Sequence, residues 1–560
     1  MSGETIARRR RRLRDRLPVR LRHHWKPAAT LGVGLAAMVW FLGDARISPY
    51  VTSSSRVEAD AITDDVRGTV GLYDTSARHS VQLTYQQTDF DKMMKEFKED
   101  GTKDYIEADL TIDGVYLNDV GIRLKGNSTL SSLRGNKGMP GGGRAAPEGA
   151  QGAPAGAPGG AGGRDRGQAQ KAGGAPGGAG GEDAGKDGAA GGAGMGGGMV
   201  QYDLSAEKPE ELPLLVKIDE YVEGRAYQGE REISLRPGSS GQAPLNEALA
   251  LSLTKESGQK AERYAFTEVK VNNRPAATRL MVEAPDTDYA DDIADGNGVL
   301  YKARANGSFD YRGDDPSDYE SSFKQRNKKG SQDLEPVMKF IKWVNSASDE
   351  EFAKDLDQYV DVDTLAEYVA SQNLLLNFDD MAGPGKNYLL WYDLDTKKFS
   401  VLGWDYNLTF SGDATAGPDD SIGMGGMGGG MGAGMPSQMP SELPSGMPGG
   451  APGGQNGGAG GEGGEDGDAA KGRMGGGMQH VLKTKFLDAD AYAGVYQKAY
   501  RELYQQFYGS GTAAKDLKDI AEQARSAGAD SKALDTAVTK LEKTVTDRTA
   551  ALAKEKKVTG

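Results

Sequence analysis

The chain has 560 residues, no cysteine, four histidines and a formal net charge of −14. The lack of cysteine excludes disulfides, thiolate catalysis and cysteine-based zinc sites, so any chemistry must rest on carboxylates, lysine, arginine and asparagine. An acidic chain also lacks the basic surface that nucleic-acid binding requires, and nucleic acid is not an expected partner.

The first 43 residues are a basic arm followed by an apolar segment. Residues 1–26 contain ten Arg and Lys against two acidic residues, and residues 27–43 carry no charge. An apolar segment of this length is close to the minimum that can span a bilayer. The basic residues before it predict a cytoplasmic N-terminus. We expect a single-pass cell-membrane anchor at 27–43 with an extracytoplasmic body. A cleaved signal peptide is the alternative, and it also places the body outside.

Two tracts rich in Gly, Ala, Pro and Met interrupt the chain at 135–201 and 411–478. They contain few aromatic or β-branched residues, so they cannot bury enough apolar surface to offset the entropy lost on ordering. We therefore expect two disordered insertions. The methionines around 424–439 are thioether donors that suit Cu(I), although low-complexity composition explains them more simply.

The chain on either side of the first insertion, at 68–134 and 202–333, has mainly the pattern of strands. Residues 105–112 and 115–124 alternate apolar and polar around an Asp-Gly turn, which is typical of a hairpin. Seven further elements are expected: strands at 81–85, 212–218, 232–235, 266–271 and 277–282, and helices around 90–97 and 244–253.

The remaining chain, at 334–410 and 479–560, has mainly the pattern of helices. Tyrosines recur at every fourth position from Tyr492 to Tyr508, and this spacing indicates a buried helix face. Asp363 is the expected N-cap of its helix. The expected helices are at 335–344, 349–360, 363–376 and 488–554, the last with breaks near 509–511 and 528.

Residues 377–410 carry the polar side chains on which the prediction of function depends. Asp379 and Asp380 follow a helix, Asn387 ends the next loop, and two short strands around a polar turn lead to Asp405. Because paired strands lie about 5 Å apart, a hairpin brings Asp405 back beside Asn387. One of the two adjacent aspartates, Asn387 and Asp405 are then expected to cluster, and Mg²⁺ prefers such oxygen ligands.

The order helix, loop Asp, loop Asn, hairpin, Asp is the order that protein kinases use. In those enzymes the first Asp accepts the proton of the acceptor hydroxyl, the Asn binds metal, and the last Asp holds the Mg²⁺ of the nucleotide. Asp and Asn also stabilise ordinary turns, so spacing alone leaves a structural role as the alternative.

Several short motifs occur in order along the chain. They are Arg123-Leu124-Lys125-Gly126-Asn127-Ser128, Lys217-Ile218-Asp219, Gly298-Val299-Leu300-Tyr301-Lys302, Lys386-Asn387-Tyr388 and Trp404-Asp405 followed by Thr409-Phe410. Together they resemble the signature of the CotH kinase family, atypical kinases first described among spore-coat proteins. The chain departs from the family pattern at Gly403, where Pro is usual, and at Asn407, where a second Asp is usual.

The resemblance implies an α+β, atypical protein-kinase-like fold with a strand-rich N-terminal lobe and a helical C-terminal lobe. It implies binding of ATP with Mg²⁺ or Mn²⁺ and transfer of the γ-phosphate to protein Ser or Thr. Asp379 would be the catalytic residue, with Asp380 competing for that role, and Asp405 and Asn387 would bind metal. The implied nucleotide-binding residues are Arg123, Lys125, Lys217 and Glu247.

Two further points stay open from the sequence. Glu247 would either pair with one of the lysines or lie on the helix surface as a solvated residue. Because ATP is scarce outside a cell, the alternative function is a catalytically degenerate surface binding or adhesion protein of the cell envelope. The expected partner is accordingly a protein substrate or an envelope component.

Overall fold

The computed structural model describes residues 61–126, 128–134, 204–237, 243–305, 307–422 and 479–560. The predicted basic arm, the predicted anchor at 27–43 and nearly all of both predicted insertions lie outside the described residues. Among the helices that are described, none combines the length and the apolar character needed to cross a membrane.

The first part of the described chain is built mainly from strands. Its strands are β1 (Asp64–Val66), β2 (His79–Tyr85), β3 (Ile106–Ile112), β4 (Val115–Leu124), β5 (Leu214–Lys217), β6 (Arg225–Tyr227), β7 (Glu232–Leu235), β8 (Tyr264–Val271) and β9 (Ala277–Glu283). Its helices are α1 (Gln87–Glu99), α2 (Leu245–Glu256) and α3 (Thr287–Asp291). The predicted hairpin at 105–124 is confirmed as β3–β4, and the predicted strands at 266–271 and 277–282 pair with each other as β8–β9.

Seven strands close into a barrel in the order β2-β3-β4-β5-β7-β9-β8. All neighbours are antiparallel except β2 and β8, whose parallel pairing closes the ring. Alternate residues such as Leu83, Ile122 and Val216 are fully buried and fill the interior. Because side chains alternate along a strand, the residues between them lie on the outer face.

The second part combines a four-stranded sheet with helices. The strands are β10 (Gly298–Ala303), β11 (Phe323–Gln325), β12 (Tyr388–Asp393) and β13 (Phe399–Gly403), in the order β11-β10-β12-β13. The helices are α4 (Glu335–Ser346), α5 (Asp349–Asp355), α6 (Val362–Leu374), α7 (Val481–Asp488), α8 (Asp490–Tyr504), α9 (Thr512–Ser526), α10 (Ser531–Leu552) and α11 (Lys556–Thr559). The mixed α and β composition is as predicted, and the tyrosine face from Tyr492 to Tyr508 is buried.

Two local predictions need correction. The N-cap of α6 is Asp361, whose carboxylate accepts the Thr364 N–H at 3.2 Å, and Asp363 lies inside the first turn. Residues 411–422, which composition assigned to the second insertion, pack against the helices through backbone carbonyls. Tyr496, for example, donates its hydroxyl hydrogen to the Pro418 carbonyl at 2.7 Å.

A fully buried arginine joins α10 to the end of α6. The Arg548 guanidinium donates to the Asn373 carbonyl at 3.0 Å, to the Asn373 side-chain oxygen at 2.9 Å and to the Tyr500 hydroxyl at 3.2 Å. It also donates to the Ala416 carbonyl. Since α6 leads directly into the loop that carries Asp379, the C-terminal helices set the position of that loop.

We expect Arg548→Leu to lower the free energy of unfolding by about 3 kcal/mol, because several buried acceptors would lose their donor at once. The exposed Arg525, which pairs with Asp535 at 2.8 Å, is the matched control. Arg525→Leu should cost less than about 1 kcal/mol. Urea unfolding of the full chain measures both, and equal losses would contradict the assigned role of Arg548.

Candidate active site

The loop after α6 is organised around the side chain of Asn377. Its amide donates to the Gln372 side-chain oxygen at 2.7 Å, and its own side-chain oxygen accepts the Asp379 N–H at 3.1 Å. The Asp379 carboxylate then accepts the Gly385 N–H at 2.5 Å. A Cβ at Gly385 would collide with this carboxylate, so only glycine allows the close approach.

The β12–β13 hairpin brings the next two residues to the same place. Tyr388 pairs with Gly403, so Asn387 and Trp404 are opposite each other just beyond the paired strands. The Asn387 amide donates to the Asp379 carboxylate at 3.0 Å and lies 3.4 Å from the Asp405 carbonyl. The predicted hairpin geometry is therefore confirmed, and the structure brings Asp379, Asn387 and Asp405 together.

Asp379 and Asp380 have different environments although they are adjacent. The Asp380 carboxylate forms an ion pair with Lys483 of α7 and accepts the Ala382 N–H at 2.8 Å. Asp379 is the one that contacts Asn387. Burial raises the pKa of Asp379 to about 7, and the charges of Asp405 and Asp380 add to this effect against the hydrogen bond from Gly385.

Asp405 is held in an uncommon backbone conformation beside a buried cation. Its φ of 57° lies in the left-handed region, which costs a non-glycine residue about 1 kcal/mol or more. Its Oδ1 atom lies 3.3 Å from the Arg236 guanidinium, yet this buried oxygen receives no well-directed hydrogen bond from the described residues. The Asp405 side chain as a whole is 25% exposed, so its carboxylate stays accessible to a further cation.

Arg236 follows β7 and is also the partner of Glu247. The two side chains form an ion pair at 2.6 Å, and Glu247 on α2 is only 1% exposed. Both predicted environments of Glu247 are therefore wrong, because its ion pair is with an arginine rather than a lysine and it is not on the helix surface. Burial raises the pKa of Glu247 to about 7 and the charge of Asp405 adds to it, although Arg236 opposes the shift.

Three cations surround the indole ring of Trp404. The Lys302 ammonium is 3.9 Å from the ring centroid, the Lys125 ammonium 5.5 Å and the Arg236 guanidinium 5.7 Å. Burial and the charges of Arg236 and Lys302 hold the pKa of Lys125 well below its usual range. Like charges crowded at a partly buried position destabilise one another, so this cluster suits a bound polyanion such as a phosphate chain.

The other two predicted basic residues lie on the same outer face of the barrel but have local partners. The Arg123 guanidinium lies 5.2 Å from the Tyr105 ring centroid. Lys217 forms ion pairs with Asp219 at 3.0 Å and Glu220 at 2.9 Å. Neither is among the cations around Trp404.

The donor set fits a divalent cation only in part. Within the described residues, no group of three or more Asp, Glu or His side chains is arranged to hold a metal ion alone. Asp379, Asp405 and Asn387 offer two carboxylates and one amide. Mg²⁺ is commonly held by one or two carboxylates together with substrate phosphates, and the partly exposed carboxylate of Asp405 fits that pattern.

Comparison with known proteins finds a family similarity over part of the chain. Residues 204–447 match the family model described as CotH kinase protein. This part of the chain is similar to the CotH family. It is also similar to the inner spore coat protein H of Bacillus subtilis (strain 168), with 24% identity over 198 residues. That match covers 34% of this chain and 54% of the relative, so it spans about half of the relative's length.

The matched CotH region contains most of the candidate site but not all of it. Asp379, Asn387 and Asp405 lie within residues 204–447, whereas Arg123 and Lys125 precede them. Arg236 and Lys302 were not identified as site residues from the sequence. Lys302 ends one of the CotH-like motifs, so the sequence did carry a signal for it. Arg236 belongs to none of these motifs and directly follows β7.

The raised pKa of Asp379 predicts a pH-dependent stability. The carboxyl group has a pKa of about 7 in the folded chain and about 4 when unfolded. The folded state therefore holds this proton more tightly, and stability falls as pH rises from about 4 to about 7. Asp379→Asn should abolish that fall and raise the free energy of unfolding by up to about 4 kcal/mol at pH 8, with little effect near pH 4.

Asp393→Asn is the matched control, because the Thr396 N–H lowers the pKa of Asp393. Its wild-type carboxylate stabilises the fold above about pH 4 and loses that contribution at lower pH, which is the opposite sign. Chemical unfolding at pH 5 and pH 8 compares the two. An Asp379→Asn effect that does not change with pH would contradict the assigned environment.

Proposed function

We propose that this CotH-like protein transfers the γ-phosphate of ATP, with Mg²⁺ or Mn²⁺, to Ser or Thr of a protein acceptor. The observation that carries the proposal is the junction of Asp379, Asn387 and Asp405 beside Arg236, which belongs to the cation cluster around Trp404. Phosphoryl transfer depends on charge stabilisation and positioning, and this arrangement supplies both.

Asp379 is the proposed catalytic residue. Its carboxylate would accept the proton of the acceptor hydroxyl, and a pKa of about 7 suits a general base that works near neutral pH. Asn387 and the Gly385 N–H orient it through hydrogen bonds of 3.0 and 2.5 Å. Asp380 is less suited to the role because Lys483 already neutralises it.

The remaining residues would hold the nucleotide. Asp405 and Asn387 are the proposed metal ligands, and the divalent cation would neutralise charge on the phosphates. Lys125, Lys302 and Arg236 would contact phosphate oxygens, with Arg236 held in place by the buried Glu247. In this proposal the barrel with α2 acts as the N-terminal lobe of a kinase-like fold, and the helical part acts as its C-terminal lobe.

The proposed setting is extracytoplasmic, with the predicted anchor at 27–43 in the cell membrane and an envelope or secreted protein as acceptor. A second function is a non-catalytic envelope binding protein. The Arg236–Asp405 contact at 3.3 Å favours it, since a metal at Asp405 must compete with an internal cation. The departures from the family pattern at Gly403 and Asn407 also favour a non-catalytic binding function.

We expect Asp405→Ala to reduce phosphate transfer at least 100-fold, because the proposed metal ligand is lost. The measurement is transfer from radiolabelled ATP by the full chain to itself or to a generic Ser/Thr-containing protein, with Mg²⁺ and with Mn²⁺. Asp395→Ala, at the exposed turn of the same hairpin, should retain activity within about twofold. Wild-type protein that neither transfers phosphate nor is stabilised by ATP would refute the proposal and leave the binding function.

We expect Lys302→Met and Lys125→Met each to weaken ATP binding about tenfold, because each removes one phosphate-contacting charge. The shift of the melting temperature with ATP and Mg²⁺ reports this affinity. Lys217→Met should weaken it less, since Asp219 and Glu220 already neutralise that ammonium. Lys270→Met on the exposed side of β8 is the control, and an equal loss in the control would contradict the assignment.

A further inference from the structure

One nitrogen atom of Arg236 contacts two carboxylates. Its Nη2 atom lies 2.6 Å from Glu247 Oε1 and 3.3 Å from Asp405 Oδ1. The Glu247 side chain is almost fully buried, whereas the Asp405 side chain is 25% exposed. The shorter contact is therefore the one farther from solvent, where water screens an ion pair least. Glu247 holds the guanidinium, and Asp405 shares it.

The Asp405 oxygen that Arg236 contacts is hidden from solvent. Oδ1 is buried, so the exposed part of the side chain lies elsewhere. A cation that comes from solvent can approach the other carboxylate oxygen, but it then meets the positive charge of the guanidinium on the same carboxylate. Like charges repel most strongly where water is excluded. Arg236 thus weakens the attraction between this carboxylate and a free divalent cation.

The main chain around this contact is fixed, so a change of partner would involve side chains alone. The Arg236 N–H donates to the Leu280 carbonyl at 2.8 Å, which fixes the end of β7. The Asn246 amide of α2 donates to the Asn407 carbonyl at 2.7 Å, which fixes α2 to the segment after β13. Because an arginine side chain has several rotatable bonds, its guanidinium can change partner while these elements stay in place.

The other charged groups near Asp405 give a free cation little additional attraction. The Lys302 ammonium lies 3.9 Å from the centroid of the adjacent Trp404 ring and adds positive charge. Burial raises the pKa of Asp379 to about 7, so its carboxyl group carries only part of a negative charge near neutral pH. A phosphate chain would reverse this balance, because its oxygens attract both a metal ion and the Arg236 guanidinium.

We propose that Arg236 keeps a free divalent cation from binding tightly at Asp405 and admits a metal ion that arrives with the phosphates of a nucleotide. The guanidinium would leave Asp405 Oδ1 for a phosphate oxygen and keep Glu247 as its second partner. The metal ion then binds Asp405 as part of a metal–nucleotide complex rather than by itself. The identity of the phosphates rests on the proposed phosphotransfer, whereas the weak binding of a free cation rests on the Arg236 contact alone.

The first test measures binding of Mn²⁺ to the full chain without nucleotide, by electron paramagnetic resonance of the unbound ion. An acidic chain binds cations elsewhere as well, so each protein is compared with its own Asp405→Asn version, and the difference reports binding at Asp405. We expect Arg236→Gln to bind Mn²⁺ at Asp405 about tenfold more tightly than wild type, because the competing charge is lost. Arg236→Lys should gain much less, since it retains a positive charge.

Two further variants separate this effect from a loss of folding. Arg236→Gln combined with Glu247→Gln removes both buried charges together, and it should show the same gain even if the single variant unfolds. Arg231→Gln is the matched control, because Arg231 is also a buried arginine of the barrel and pairs with Asp288 at 2.7 Å. Its loss should leave Mn²⁺ binding at Asp405 unchanged. Wild type that binds free Mn²⁺ at Asp405 as tightly as the Arg236 variants would overturn the proposal.

The second test adds ATP, and the expected order of affinities is reversed. From the shift of the melting temperature with Mn²⁺ and ATP, Arg236→Gln should bind the complex about tenfold more weakly than wild type, because one phosphate contact is lost. A purely structural role of Arg236 would weaken both kinds of binding, and that result would contradict the proposal.

The two tests also separate this inference from the proposed catalysis. Wild type that binds free Mn²⁺ weakly at Asp405 and is not stabilised by Mn²⁺ with ATP would overturn phosphates as the ligand that displaces Arg236. Reversed affinities without any phosphate transfer would support the role of Arg236 and count against the transfer reaction alone.

Discussion

The structure of the site depends on one buried cation. Arg236 is 7% exposed and lies between Glu247 at 2.6 Å and Asp405 at 3.3 Å. Removing one member of such a group leaves an uncompensated buried charge, which costs about 3–5 kcal/mol. Because the three residues belong to the barrel, to α2 and to the end of β13, their interaction holds together three elements that are distant in sequence. The same interaction fixes the position from which the Asp405 carboxylate can contact a ligand.

A second constraint acts from the opposite end of the chain. Arg548 bonds to Asn373 at the end of α6, and Lys483 neutralises Asp380, so helices that follow the second insertion support the loop of Asp379. This support makes two adjacent carboxylates chemically different. Asp380 forms an ion pair with Lys483, whereas Asp379 is buried, forms no ion pair with a described residue and has a pKa of about 7.

The segment that leads into β12 contacts two different environments. The Asn387 amide donates to the Asp379 carboxylate, whereas Lys386 and Tyr388 line a polar cavity. The backbone turns between them, because Lys386 has a φ of 53° and its carbonyl accepts the Tyr388 N–H at 2.9 Å.

The sequence by itself determined the elements that depend on local patterns. The Asp113-Gly114 hairpin, the tyrosine face of α8 and the β12–β13 hairpin follow from turn residues and apolar periodicity, and the ordered motifs indicated the CotH family. The tertiary structure alone decided which charges meet. The pairing of Glu247 with Arg236, the separation of Asp379 from Asp380 and the position of Lys302 over Trp404 join residues far apart in the chain. Periodicity assigns a residue to a face, but only folding brings two faces together and removes the water that would otherwise screen their charges.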